Sequence, residues 1–209
     1  MAELLSEKLR PEEISDLMQR TELVRRFERM VESGSIMNML FYGDPGIGKT
    51  SAARVLLKTI DADVFEVNGS VATGVDQVRH DVESYCRSLS LYGQPKVCFI
   101  DECEYLSANA QAALRGIIEG SRHARFLLTA NNISRLHPAL KSRCMPVCFD
   151  LSPCDAPDIV ERLLPRYQRK IREAGLTIDE ERLRAILFTE FPDLRRVANR
   201  IEFEALLLT

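Results

Sequence analysis

The chain has 209 residues, carries 28 Lys+Arg against 31 Asp+Glu for a formal net charge of −3, and is 45% hydrophobic. That length is ample for a buried core in one large or two small domains, and the composition excludes disordered, collagen-like and coiled-coil classes. A net charge of −3 gives no bulk attraction to nucleic acid, so any such contact has to come from a local basic patch. No apolar run approaches the roughly 18 residues of a membrane span, and residues 1–10 lack a basic–apolar–small leader pattern, so a cytoplasmic protein with no membrane partner is expected.

Taken in chain order, Leu17, Val24, Phe27 and Val31 predict a helix over 14–32, closed by Ser33-Gly34. The apolar run 37–42 is stopped by Gly43, and a helical pattern returns over 49–60. Residues 64–67 alternate as a strand before the turn signal Asn68-Gly69, and Val75, Val78, Val82 and Tyr85 predict a helix over 75–89. Residues 96–100 form an uninterrupted apolar strand, Ser107 is placed to cap a helix running to Gly120, and 125–130 and 145–149 are further strands. Continuous apolar strands alternating with helices predict a buried parallel sheet. Beyond Pro153 only helices are predicted, over 156–174, 179–190 and 193–208, which sets a division near 151–155. The six cysteines include no Cys-x-x-Cys pair, and the only histidines are His80, His123 and His137. Without a tight ligand pair for a tetrahedral zinc site, the cysteines are read as small buried apolar residues in a reducing compartment.

Gly43-Asp44-Pro45-Gly46-Ile47-Gly48-Lys49-Thr50 matches the phosphate-loop pattern in full, with a strand before it and a helix after it. Glycines let the backbone N–H groups and the helix N-terminus surround a polyphosphate. Residues Gly43 to Thr50 together with Ser51 are the nucleotide-binding candidates, with Lys49 expected on the β- and γ-phosphates and Thr50 on Mg2+. Asp101 and Glu102 end the strand 96–100, where open α/β sheets bind ligands. Asp101 is expected to hold Mg2+ and Glu102 to polarise the attacking water, whereas Glu104 is read as a solvated neighbour. Asn131, after the next strand, either orients that water or serves turn chemistry. Arg143 in Ser142-Arg143-Cys144 is either a surface charge or an arginine finger acting on a neighbouring subunit.

Glu7-Lys8-Leu9-Arg10-Pro11, the loop 43–50, Asp101-Glu102, Thr129-Ala130-Asn131-Asn132, Ser142-Arg143-Cys144 and Asp193-Leu194-Arg195-Arg196 occur in that order. Together they resemble the AAA+ ATPase subunits of sliding-clamp loaders, being similar to the small subunit of replication factor C and to the phage-type large clamp-loader subunit. The resemblance covers nearly the whole chain. Its specific part is the Ser-Arg-Cys motif, since the loop and acidic pair alone indicate only a P-loop ATPase. It implies an α/β AAA+ domain over 1–152, with a parallel sheet flanked by helices, and a three-helix lid over 153–209. The collar domain of the family is not represented in this sequence. It implies ATP and Mg2+ as ligands, a hetero-pentamer of clamp-loader subunits, and a sliding clamp and primer–template DNA as partners. By position, Asn131 matches sensor 1, Arg143 the finger acting in trans, and Arg195 sensor 2 in preference to Arg196. Arg10-Pro11 matches the segment near the adenine, and Arg79 and Arg115 are candidate DNA-backbone contacts. The acidic motif reads Asp-Glu-Cys-Glu where many relatives have Asp-Glu-Ala-Asp. The alternatives are another AAA+ DNA motor of the branch-migration type, a subunit that binds nucleotide without hydrolysing it, and a small-molecule kinase.

Overall fold

The computed structural model describes residues 5–71, 75–90 and 93–207. Five strands form one parallel sheet: β1 (Met39–Tyr42), β2 (Asp63–Asn68), β3 (Lys96–Asp101), β4 (Ala124–Ala130) and β5 (Met145–Cys148), in the order β2-β3-β4-β1-β5. The inner strand β3 is buried along its whole length, as a parallel strand covered on both faces must be. The edge strand β2 alternates between half-buried and exposed positions, and Pro146 is accommodated in β5 because that strand pairs on one side only.

Side-chain alternation divides the sheet between two cores. Met39, Phe41, Val97, Phe99 and Leu127 point to one face, where they meet Val24 and Phe27 of α2 (Thr21–Glu32) and Ala53 and Leu56 of α3 (Lys49–Thr59). Leu40, Cys98, Ile100, Phe126 and Leu128 point to the other, against Val82 of α4 (Val75–Arg87) and Leu114 and Ile118 of α5 (Ala108–Gly120). Ser107 caps α5 as expected, its side chain accepting from the Ala110 N–H at 3.2 Å. A short helix α6 (Pro138–Lys141) leads into β5. A third core joins α7 (Ala156–Glu173), α8 (Glu180–Glu190) and α9 (Leu194–Leu207), and it also takes in Leu5 and Leu9 of the segment around α1 (Leu5–Lys8) and Met18.

The predicted helix over 14–32 is corrected. A single 3-10 turn, Ile14–Asp16, is closed by a reciprocal cap between Glu13 and Asp16, the backbone then extends at Leu17 and Arg20, and the helix begins only at Thr21. Three side chains one turn apart on α7 hold this strap. Arg162 donates to the carbonyls of Ser15, Leu17 and Gln19, Arg166 pairs with Asp16 at 3.0 Å and donates to the carbonyls of Leu9 and Arg10, and Lys170 pairs with Glu12. Partners lost to the helical ladder are thereby regained from side chains. The cysteine reading holds for Cys86, Cys98, Cys103 and Cys144 and fails for Cys154, which is exposed, and Cys148, which is half-buried. Leu208 and the side chains of Val75 and Val78 lie outside the described residues.

Phe41 is fully buried and packs against Phe27 and Phe149 with ring centroids 5.4 and 4.8 Å away. Phe41→Ala should cost about 3–5 kcal/mol, the range for deleting a core aromatic ring. The expected result is a lowered urea midpoint at unchanged slope.

Candidate nucleotide site

The phosphate loop joins β1 to α3. Gly43, Gly46 and Gly48 all have φ in the left-handed region, and at Gly43 and Gly46 there is no room for a side chain either, since an added Cβ would stand 2.5 Å from Asp150 Oδ1 and from Asp193 Oδ1 respectively. The loop is anchored beneath by Ile47, whose buried side chain belongs to the α2–α3 core, and laterally by Asp150, which accepts the Asp44 N–H at 2.8 Å. Ile47, Gly43 and Asp44 do not line the cavity. The side chain of Ile47 is a packing residue, and the carbonyls of Gly43 and Asp44 accept from Lys49 Nζ at 2.8 and 2.7 Å.

The cavity above the loop, about 690 Å3, is lined by Arg10, Pro11, Pro45, Gly46, Gly48, Lys49, Thr50, Ser51, Asp101, Glu102, Asn131 and Arg195 among others. Residues far apart in the sequence but expected in one site are thus brought together. Lys49 is 6% exposed. Burial lowers its ammonium below the ordinary lysine value, opposed by the carboxylates of Glu104, Asp150 and Asp44, while Arg195 adds to the depression.

Asp101 is the junction of the site. Its Oδ1 accepts from the hydroxyl of Thr50 at 2.8 Å and from that of Thr129 at 2.5 Å, and the Thr129 hydroxyl in turn accepts the Glu102 N–H at 2.9 Å. Glu102 has φ 52°, a left-handed conformation uncommon for a residue with a side chain, which turns the chain sharply out of β3 and leaves Glu102 on the cavity wall. The end of β2 closes on this turn: the Gly69 N–H donates to the Asp101 carbonyl at 2.8 Å, and a Cβ there would lie 2.5 Å from the Glu102 carbonyl. The paired oxygens of Thr50 and Asp101 are a hard donor set suited to Mg2+, and the glycine cradle with a buried lysine suits a polyphosphate.

Helix α9 reaches the loop directly. Asp193 caps it by accepting from the N–H groups of Arg195 and Arg196, and the Leu194 N–H donates to the Gly46 carbonyl at 3.0 Å. Arg195 lines the cavity, whereas Arg196 turns away to Glu190 at 2.9 Å.

Arg143, Arg79 and Arg115 also lie away from the cavity. Arg143 pairs with Glu119 and donates to the Ala139 carbonyl at 2.7 Å. Arg79 on α4 pairs with Glu83 at 3.0 Å, and Arg115 on α5 lies 3.7 Å from Glu119. Glu104 corrects its reading as a solvated side chain, being 7% exposed with Oε1 accepting the Asn131 N–H at 2.7 Å. The role of Thr129 and the strap held by Arg162, Arg166 and Lys170 had no assignment from sequence. The i, i+4, i+8 spacing of those three cations on one helix was the available signal for the strap.

Residues 39–150 match the ATPase family associated with various cellular activities (AAA). With more than half of its length inside that match, the chain belongs to the AAA family. The sequence is similar to the replication factor C small subunit of Archaeoglobus fulgidus, at 33% identity over 207 residues, covering 96% of this chain and 63% of that protein. The protein of the same name from Methanoculleus marisnigri is 33% identical over 211 residues, covering 97% of this chain and 63% of the relative. The chain thus spans less than two thirds of the length of these relatives. In fold it is similar to the Thermotoga maritima RuvB Holliday junction branch migration motor, with a TM-score of 0.70 at 20% identity over 93% of this chain and 64% of that one. At that identity the likeness concerns the fold alone. Among the described residues no helix is long and apolar enough to cross a membrane.

Thr129→Val keeps the shape of the side chain but removes a hydroxyl that serves both Asp101 and the Glu102 N–H. Leaving that buried N–H unmet should cost about 1–3 kcal/mol. Thermal melts should show the loss, and Mg2+-dependent nucleotide affinity should fall with it.

Proposed function

We propose that this chain is the ATPase portion of a sliding-clamp loader subunit, acting with other subunits, a clamp and primer–template DNA. The observation that carries the reading is the Thr50–Asp101–Thr129 junction with Glu102 beside it, in a chain whose sequence relatives are named replication factor C small subunit. A branch-migration motor shares the fold at 20% identity, whereas the sequence likeness at 33% runs to the replication factor C subunits. In this reading residues 1–152 bind the nucleotide and 153–209 form the lid.

The division of labour follows from position. Arg10 and Pro11, on the strap held by α7, flank the base side of the cavity, and the amides of the glycine loop with Lys49 hold the phosphates. Thr50 and Asp101 would hold Mg2+, which when bound would supply positive charge to the phosphate oxygens. Glu102 takes up the proton of the attacking water, and Asn131 orients that water from the end of β4. Arg195 brings the lid charge to the phosphates from α9. Arg143 lies outside the chain's own cavity and completes the site of a neighbouring subunit, exchanging Glu119 for that neighbour's phosphate. Hydrolysis therefore depends on assembly.

Glu102→Gln should retain nucleotide binding and reduce clamp- and DNA-stimulated turnover by about 100-fold or more, the contribution of a positioned base. Unchanged turnover would refute the assignment. Arg79→Ala and Arg115→Ala should each weaken binding of the assembled loader to primed DNA irrespective of sequence and reduce the slope of log K against log salt by about 1, as for a single phosphate contact. An unchanged slope removes the residue from the DNA surface.

A further inference from the structure

Glu104 lies on the turn Cys103–Tyr105, just beyond the acidic pair, and is buried although it is a carboxylate. Such a group is kept out of water only where it has work for its oxygens. Oε1 accepts the main-chain N–H of Asn131, the first residue past β4, at 2.7 Å. Oε2 is buried with no hydrogen-bond partner among the described residues. Among the carboxylates that act on the buried Lys49 ammonium, Glu104 acts more strongly than Asp150 or Asp44.

The position of Asn131 needs such a fixture. β4 ends at Ala130, and past that point no ladder bond to β3 holds the chain, since the β3–β4 register runs only to Ile100↔Leu128. The Asn131 side chain can act only if its Cα stands at a fixed height above Asp101 and Glu102. A bond to its own amide side chain would remove that side chain from service, whereas a bond to its backbone N–H leaves it free. A charged acceptor makes that bond shorter and about twice as strong as a neutral one.

We propose that Glu104 is a positioning residue for Asn131, gripping its backbone N–H so that the side chain enters the nucleotide cavity in register with the acidic pair. The consequence for turnover rests on the ATPase reading above, but the grip itself exists in the nucleotide-free chain and is measurable there.

Hydrogen exchange at the Asn131 amide, followed by NMR in the full chain without nucleotide, tests the grip. Glu104→Ala should lose roughly 10- to 100-fold of the protection at that amide, the size of a lost hydrogen bond to a charged group, with the amides of β3 unchanged. Glu104→Gln, which keeps an oxygen at the same place, should hold protection within about threefold of the parent, since a neutral acceptor still makes the bond. In the assembled loader with clamp and primed DNA, Glu104→Ala should lower kcat by roughly 10-fold or more while KM for ATP moves less than about threefold, and Glu104→Gln should restore most of kcat. Full protection of Asn131 in Glu104→Ala would overturn the proposal. So would a folded Glu104→Gln that loses protection, or a rise in KM at constant kcat. Should Glu104→Ala fail to fold, Glu104→Gln decides by the same amide. Glu102→Gln measured in parallel separates the two readings, because its failure to affect turnover removes the ATPase assignment and leaves the exchange result standing.

Discussion

One carboxylate oxygen, Asp101 Oδ1, receives hydroxyls from the start of α3 and the end of β4, and the geometry of the site descends from that meeting. The strand order makes it possible. With β4 between β3 and β1, the acidic end of β3 and the phosphate loop after β1 stand on either side of the residue that links them, Thr129. Thr129 hands the constraint on, accepting the Glu102 N–H and so holding the left-handed turn that presents the Glu102 side chain. A hydroxyl can do this because it donates and accepts at once. The acid expected to hold the metal and the acid expected to act on water are therefore set relative to one another by a single buried threonine.

Most of this architecture was legible because it is written in local terms. The phosphate loop, the apolar strand that ends in the acidic pair, and the cap at Ser107 depend on residues a few positions apart. What was misread depends on partners far along the chain. Residues 14–32 have a helical spacing of apolar groups, but Arg162, far along the chain, takes the carbonyls of Ser15, Leu17 and Gln19 that a continuous helix would have used. Cys154 is exposed although cysteine favours the interior, since the composition of a type says little about one position after the sheet has ended. Glu104 was read as solvated because an acid next to two others on a turn ordinarily is. Its burial is caused by the return of the chain at Asn131, which no local pattern announces.

The last link concerns the helices after the sheet. Asp193 serves α9 as its cap and at the same time presses its carboxylate against Gly46, a position of the phosphate loop that has no room for a Cβ, while the next residue, Leu194, donates its N–H to the Gly46 carbonyl. The N-terminus of α9 and the loop therefore cannot move independently, because a shift of either breaks a main-chain bond or drives a carboxylate into backbone. The same three-helix core includes Leu5 and Leu9, and through Arg166 it grips the carbonyl of Arg10, which also lines the cavity. One packed unit thus contacts the cavity through the strap at Arg10 and through α9 at Gly46 and Arg195. A ligand that filled this cavity would therefore meet residues tied to the helical core both at Arg10 and at Arg195.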